Sequence, residues 1–169
     1  MSGKARNAVA IALGADRSVF PGFRTPVADS SLRFGEAALL IEGLNDDVSF
    51  FWALIRLGIR TDRTVSTPPE SHDIESVFST FARLVHLGLC EIGRLELVSD
   101  RNGGQVILHV PERLETVLQR VRTLCGTGST EWPNACWLTN TDKGDDAVRE
   151  HLRLRSKAHD HEHPDTRAP

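Results

Sequence analysis

Three histidines near the carboxyl end have the residue type and spacing that could bind a metal ion. His159, His161 and His163 alternate with Asp160 and Glu162. Imidazole and carboxylate groups both ligate Zn²⁺ or Ni²⁺. The surrounding stretch is polar and is predicted to be disordered, so it would not hold these ligands in a fixed geometry. We therefore predict no metal site and no cofactor.

Three cysteines are the other candidate reactive side chains. Cys90, Cys125 and Cys136 are an odd number and include no Cys-x-x-Cys pair. This pattern is typical of free thiols in a reducing cytosol. Cys125 also lies on an apolar helical stripe, where a buried thiol is expected.

The sequence contains none of the common catalytic motifs. It has no G-x-S-x-G, no Walker loop and no G-x-G-x-x-G. The pair Gly103-Gly104 is too short to cradle a phosphate and fits a turn instead. We predict a protein that binds rather than catalyses.

Charge and hydropathy restrict the classes of partner. The 169 residues include 20 Lys and Arg against 23 Asp and Glu, and no segment has a basic surplus, which argues against a large phosphate-binding face. No stretch approaches the ~20 apolar residues of a membrane span. The apolar run at residues 8–13 is short for a signal peptide, so we expect a cytoplasmic protein. Arginine greatly outnumbers lysine, which hints at a GC-rich bacterial genome.

The chain is predicted to form one α+β domain between two tails. Residues 1–33 contain Gly, Pro and Ser around one apolar patch and are predicted to form a partly ordered arm. Residues 34–156 form the domain, and residues 157–169 form a disordered tail that contains the histidines. Within the domain, Glu36 to Leu44 fits either a helix or a buried strand.

Periodicity and turn residues predict the remaining elements. They are a helix from Asn45 or Asp46 to before Gly58, a helix over 73–87, strands at 89–98 and 105–110, a helix over 111–125, a strand end at 137–138 and a helix ending at about Ser156. The helix over 73–87 has the most continuous apolar stripe. Its members are Ile74, Val77, Phe78, Phe81, Leu84 and Val85. Asn102-Gly103 favours a tight hairpin turn between the two strands.

The stretch WLTNTDKGDDAV, residues 137–148, is predicted to join a strand to a helix. Thr141 or Asp142 can cap the helix, and the acidic Asp145 and Asp146 suit the positive end of its dipole. Gly144 permits close packing at the start of the helix. Every residue here has a structural explanation.

Two of these stretches resemble winged helix-turn-helix proteins. SVFSTFARLVHLGLCEIG is similar to their recognition-helix region, with a partial match to L-x-x-L-x-x-x-G-L. WLTNTDKG resembles the W-x-L-T-x-x-G phrase that often enters their last helix. The resemblance spans about Asp46 to Val148 and implies a winged-helix-like domain with a β-hairpin as its wing. Two departures are the proline-containing stretch at 60–72 and the extra helix between the hairpin and the final strand.

The resemblance implies a DNA-binding transcriptional regulator. The residues that would contact duplex DNA are Ser76, Ser79, Thr80 and Arg83 in the major groove, and Arg101 at the hairpin tip on backbone phosphate or in the minor groove. The alternative for the same residues is a solvated helix face and a polar turn. The near-neutral charge also fits a protein–protein interaction adaptor that uses this scaffold without binding DNA.

Two aromatic residues are candidates for a partner surface. Phe50 lies off the apolar stripe of its predicted helix, and Trp132 lies in a predicted loop. Either is predicted to contact a protein partner or a second copy of the chain. The resemblance mildly favours a homodimer, because winged-helix regulators commonly pair through helices outside the wing.

Overall fold

The computed structural model describes residues 32–61, 63–99 and 103–162, with side chains as far as residue 156. The predicted N-terminal arm up to residue 31, Arg101 and the tail from His163 lie outside the described residues. The helices are α1 (Phe34–Gly43), α2 (Phe50–Arg56), α3 (Ser71–His86), α4 (Leu114–Gly126) and α5 (Asp142–Glu162), with a 3₁₀ turn at Trp132–Asn134. The strands are β1 (Val48–Ser49), β2 (Cys90–Ser99), β3 (Gln105–Pro111) and β4 (Trp137–Asn140).

The four strands form one antiparallel sheet in the order β1-β4-β2-β3. The last strand of the sequence therefore lies between β1 and β2, and β3 lies at the outer edge. Leu138 of β4 pairs with Val48 on one side and with Ile92 on the other, and all three side chains are buried. The described chain is thus α+β, as the sequence predicts.

Aromatic side chains from α2, α3 and the 3₁₀ turn form the centre of the core. The rings of Phe50 and Trp132 meet edge to face with centroids 6.3 Å apart, and Phe78 and Phe81 are 5.5 Å apart. Edge-to-face contacts of this kind add to the free energy gained by burying the rings. The predicted stripe of α3 faces this core, except that Val85 is exposed. Gly58 and Gly88 follow their helices with positive φ, as predicted.

In the first half of the domain, one segment that periodicity left open is helical, and one helix begins later than predicted. Glu36 to Leu44, which periodicity left open, is helical apart from Leu44. The helix predicted from Asn45 or Asp46 begins later, because Val48 and Ser49 pair with β4 first. The hydroxyl of Ser49 then accepts the Trp52 amide at 3.4 Å and caps α2.

Two helix boundaries differ in the second half. Pro111 belongs to β3 rather than to α4, and the ladder continues beyond it because the amide of Glu112 donates to the carbonyl of Ile92 at 2.9 Å. Helix α5 continues past the predicted end at Ser156 to Glu162, so the backbone of 157–162 is helical rather than disordered. None of the described helices has the length and apolar character needed to cross a bilayer.

The WLTNTDKG stretch joins β4 to α5 as predicted. The Thr141 hydroxyl accepts the Gly144 amide at 3.1 Å and donates to the Gly88 carbonyl at 2.7 Å, so it caps α5 and ties that helix to the end of α3. A side chain at Gly144 would lie 1.9 Å from the Leu89 carbonyl oxygen, which explains the glycine. The buried amide of Asn140 donates to the Leu40 carbonyl at 2.7 Å and links α1 to the same joint.

Candidate interaction surfaces

The predicted DNA-contacting face of α3 is polar and engaged with its own helix. Ser76 and Ser79 are exposed, and Thr80 is partly buried. The hydroxyl of Ser76 donates to the His72 carbonyl at 2.9 Å, and that of Thr80 donates to the Ser76 carbonyl at 3.4 Å. The Ser76 and Thr80 hydroxyls lie on the predicted face of α3. Part of their hydrogen-bonding capacity is used by the backbone of the same helix.

Arg83, the only arginine or lysine in α3, is held by a buried carboxylate. Its guanidinium donates to Glu36 of α1, and the side chains are 15% and 3% exposed. A buried carboxylate must be paired, since an isolated one carries a large desolvation cost. Arg83 therefore joins α3 to α1, a contact that helix periodicity alone does not reveal. Arg101, the second predicted DNA-contacting arginine, lies outside the described residues.

Other arginines around α3 and β2 also have carboxylate partners. Arg122 of α4 binds Glu75 of α3 at 3.0 Å. Arg120 and Arg94 both bind Glu112, at 2.6 and 3.1 Å. The hydrogen bond from Arg120 is the main cause that lowers the pKa of Glu112. Each of these three arginines is thus paired with a carboxylate.

Phe50 and Trp132, predicted to form a partner surface, are core residues. They are 0% and 1% exposed. Phe50 points inward because the chain turns sharply from β1 into α2. Trp132 begins a 3₁₀ turn that packs its ring against Phe50 and Phe51, with the Arg60 guanidinium 5.5 Å from the ring centroid on its outer side. The prediction of a surface role for both is wrong.

The β2–β3 hairpin carries a large apolar exposure. The exposed fractions are 61% for Leu97, 40% for Val106, 66% for Ile107 and 48% for Leu108. We call these four residues the hairpin surface. Single exposed apolar residues are ordinary, whereas several on one hairpin are uncommon in a surface that meets only water.

The hairpin surface lies on both faces of the hairpin. Leu97 pairs directly with Ile107, so these two side chains share one face. Val106 and Leu108 project to the other face, because successive side chains of a strand alternate. Helices cover neither face here, since β3 packs mainly on β2. The unbroken Val-Ile-Leu run of this short strand is visible in the sequence. It predicts a strand, but it does not show whether another element covers that strand.

Thiol and metal chemistry finds no support among the described residues. Burial raises the pKa of Cys90 and of Cys136 well above the ordinary value, and it raises that of Cys125 to about 11. Thiols with raised pKa values are poor nucleophiles at neutral pH. No group of three or more metal-binding side chains converges in the described part of the chain. His163 and the side chains of the other two tail histidines lie outside it.

No family model matches the chain, and neither a curated protein nor a solved structure matches it. A proposal about function therefore rests on the α3 face and the hairpin surface.

Proposed function

We propose that the protein is a protein-interaction module on a winged-helix-like scaffold, and that it docks through the hairpin surface. The observation that carries this proposal is the exposure of apolar side chains on both faces of one hairpin. Burying apolar area releases free energy at roughly 25 cal/mol per Å². Four large side chains left in water therefore favour a partner that covers them.

The order of elements supports the winged-helix-like scaffold. The family implies a short helix before the recognition helix, then a hairpin, and then a strand that leads into a last helix. Here α2 precedes α3, β2 and β3 form the hairpin, and β4 leads into α5. Helix α4 stands between the hairpin and β4, as the sequence predicts for an insertion.

The distribution of charge favours a protein partner over DNA. DNA-binding surfaces gather lysine and arginine so that phosphates release their counterions. In α3 the single arginine is paired with Glu36, and Glu75 is paired with Arg122. The hairpin surface is uncharged, and it requires no phosphate.

Photocrosslinking in cells tests the docking surface. A benzophenone amino acid at position 107 is expected to form a discrete covalent adduct, because Ile107 would lie against the partner. The same amino acid at position 79, on the exposed face of α3, is the matched control and is expected to form none. Failure of position 107 to form any adduct, with the variant folded, would contradict the proposal.

A DNA-binding transcriptional regulator is the second candidate, and the order of elements from α2 to α5 favours it. Its test is the affinity for mixed duplex DNA at several salt concentrations, since phosphate contacts make binding strongly salt-dependent. Ser79→Glu would place a negative charge on the predicted groove-facing surface and should weaken binding. Leu152→Glu, on α5, is the control. Undetectable binding at low salt would remove this candidate.

A further inference from the structure

We infer that the partner of the hairpin surface is a second copy of this chain, which adds its own β3 to the open edge of the sheet. The inference rests on the proposed function, since it names the partner of β3, which carries three of the four residues of the hairpin surface. It begins from the position of β3, which lies at the end of the strand order. Among the described residues, no strand pairs with its outer side.

The register identifies which backbone groups of β3 point outward. Residues 92 and 112 lie opposite each other, and the Glu112 amide donates to the Ile92 carbonyl at 2.9 Å. Antiparallel neighbours alternate between hydrogen-bonded and non-bonded pairs. The bonded pairs therefore continue as Arg94 with Val110, Glu96 with Leu108, and Val98 with Val106.

The pairing on the other side of β2 gives the same alternation. The Thr141 amide donates to the Leu89 carbonyl at 3.1 Å, so Leu89, Glu91 and Gly93 direct their groups toward β4. Ile92 then directs its groups toward β3. Two independent hydrogen bonds thus agree.

The remaining β3 residues direct their amides and carbonyls away from β2. These are Gln105, Ile107 and His109, at every second position. Pro111 follows in the same series, but proline has no N–H to donate. An exposed edge of this kind is a template for pairing with another strand.

A twofold axis at Ile107 matches this edge to itself. Ile107 would exchange both hydrogen bonds with its own copy, and Gln105 would pair with His109 of the other copy. Val106 would face the other copy's Leu108. Apolar residues thus meet apolar residues, and Gln105 lies opposite His109, whose ring Nε2 is 3.3 Å from the Trp137 carbonyl oxygen of its own chain. Moving the axis to Leu108 would place Ile107 opposite His109 and use Pro111, which lacks a donor.

Charge also permits a second copy. A twofold axis within β3 brings two copies of the same short strand together, so like charges on that strand would lie near each other and repel. The strand Gln105–Pro111 has no Asp, Glu, Lys or Arg. The edge from Gln105 to His109 therefore lacks the charged side chains that commonly prevent edge-to-edge pairing, and Pro111 blocks pairing only at its end.

The test exploits the contact of Ile107 with itself. In sedimentation velocity, the full-length chain is expected at twice its 18.7 kDa mass at micromolar concentration. Ile107→Lys and Ile107→Glu should each be monomeric, because like charges meet at the axis. An equimolar mixture of the two variants should recover the dimer. Recovery would also show that both variants are folded.

A second pair of charged variants, at Leu97 of β2, is the control. Leu97→Lys and Leu97→Glu should each remain dimeric, and mixing them should change nothing, because the two copies of Leu97 would lie roughly 14 Å apart, three strand spacings away. The inference is overturned by a monomeric wild type, by dimers that Ile107→Lys leaves intact, or by a mixture that stays monomeric.

The photocrosslinking experiment separates failure of this inference from failure of the proposed function. An adduct of twice the chain mass supports both. An adduct with a different protein from a monomeric chain keeps the proposed function and overturns the second copy. A crosslink within one chain to residues 1–31 shows that this segment covers the edge, and it overturns the inference as well.

Discussion

Replacing Arg83 with alanine separates a structural role from a DNA-contacting role. The change would leave Glu36, which is 3% exposed, without its guanidinium partner. Breaking a buried ion pair by removing one side costs about 3–5 kcal/mol. Glu36 keeps the Arg33 amide at 2.9 Å, and Arg83 is itself partly exposed, so the cost should be near the lower end. We expect the free energy of unfolding to fall by about 3 kcal/mol.

Urea unfolding followed by tryptophan fluorescence measures this loss, because Trp132 is buried. For 169 residues, the same loss corresponds to a fall in Tm of roughly 10 °C. The double variant Glu36→Leu with Arg83→Leu should recover most of the stability, since no charge is left buried. Ser79→Ala, on the exposed face, should change stability by less than about 0.5 kcal/mol. A loss below about 1 kcal/mol for Arg83→Ala would contradict the structural role of the Arg83–Glu36 pair.

Two further predictions concern packing and thiol reactivity. Gly144→Ala should lower the free energy of unfolding by at least about 2 kcal/mol, because its methyl group would meet the Leu89 carbonyl oxygen. Calorimetry measures this loss, and Gly126→Ala is the control because the space around Gly126 is open. A thiol reagent should modify Cys125 first, and Cys90 and Cys136 only on unfolding, since those two are at most 2% exposed. Peptide mass spectrometry of the folded chain measures the three rates, and equal rates would contradict the prediction.

Local patterns predicted the elements whose signals are local. The helical spacing of apolar residues located α3, and the glycines at 58 and 88 ended their helices where a positive φ was expected. The cap of α5 at Thr141 was one of two predicted choices, and its hydrogen bond to Gly144 decides between them. Such signals depend on residues within one or two turns of each other.

Long-range pairing accounts for the errors. Nothing near Val48 indicates that it pairs with Leu138, so the start of α2 was placed too early. Phe50 was predicted to be exposed because it lies off the stripe of its helix, and Trp132 because it lies in a predicted loop, but their rings meet in the core. Arg83 lies 47 residues from Glu36, and helix periodicity cannot supply that contact. The hairpin surface was missed for the same reason, since a strand pattern does not show which side remains uncovered.

Hydrogen exchange at the Ile107 amide tests whether a second copy of the chain pairs with the outer edge of β3. This amide points away from β2, so in an isolated chain it should exchange close to the rate of an unprotected amide. If β3 pairs with its copy, exchange at Ile107 should slow about tenfold or more as the 169-residue chain is concentrated, while the inward amide of Leu108 changes less. Rapid, concentration-independent exchange at Ile107, with Leu108 protected, would contradict pairing at this edge.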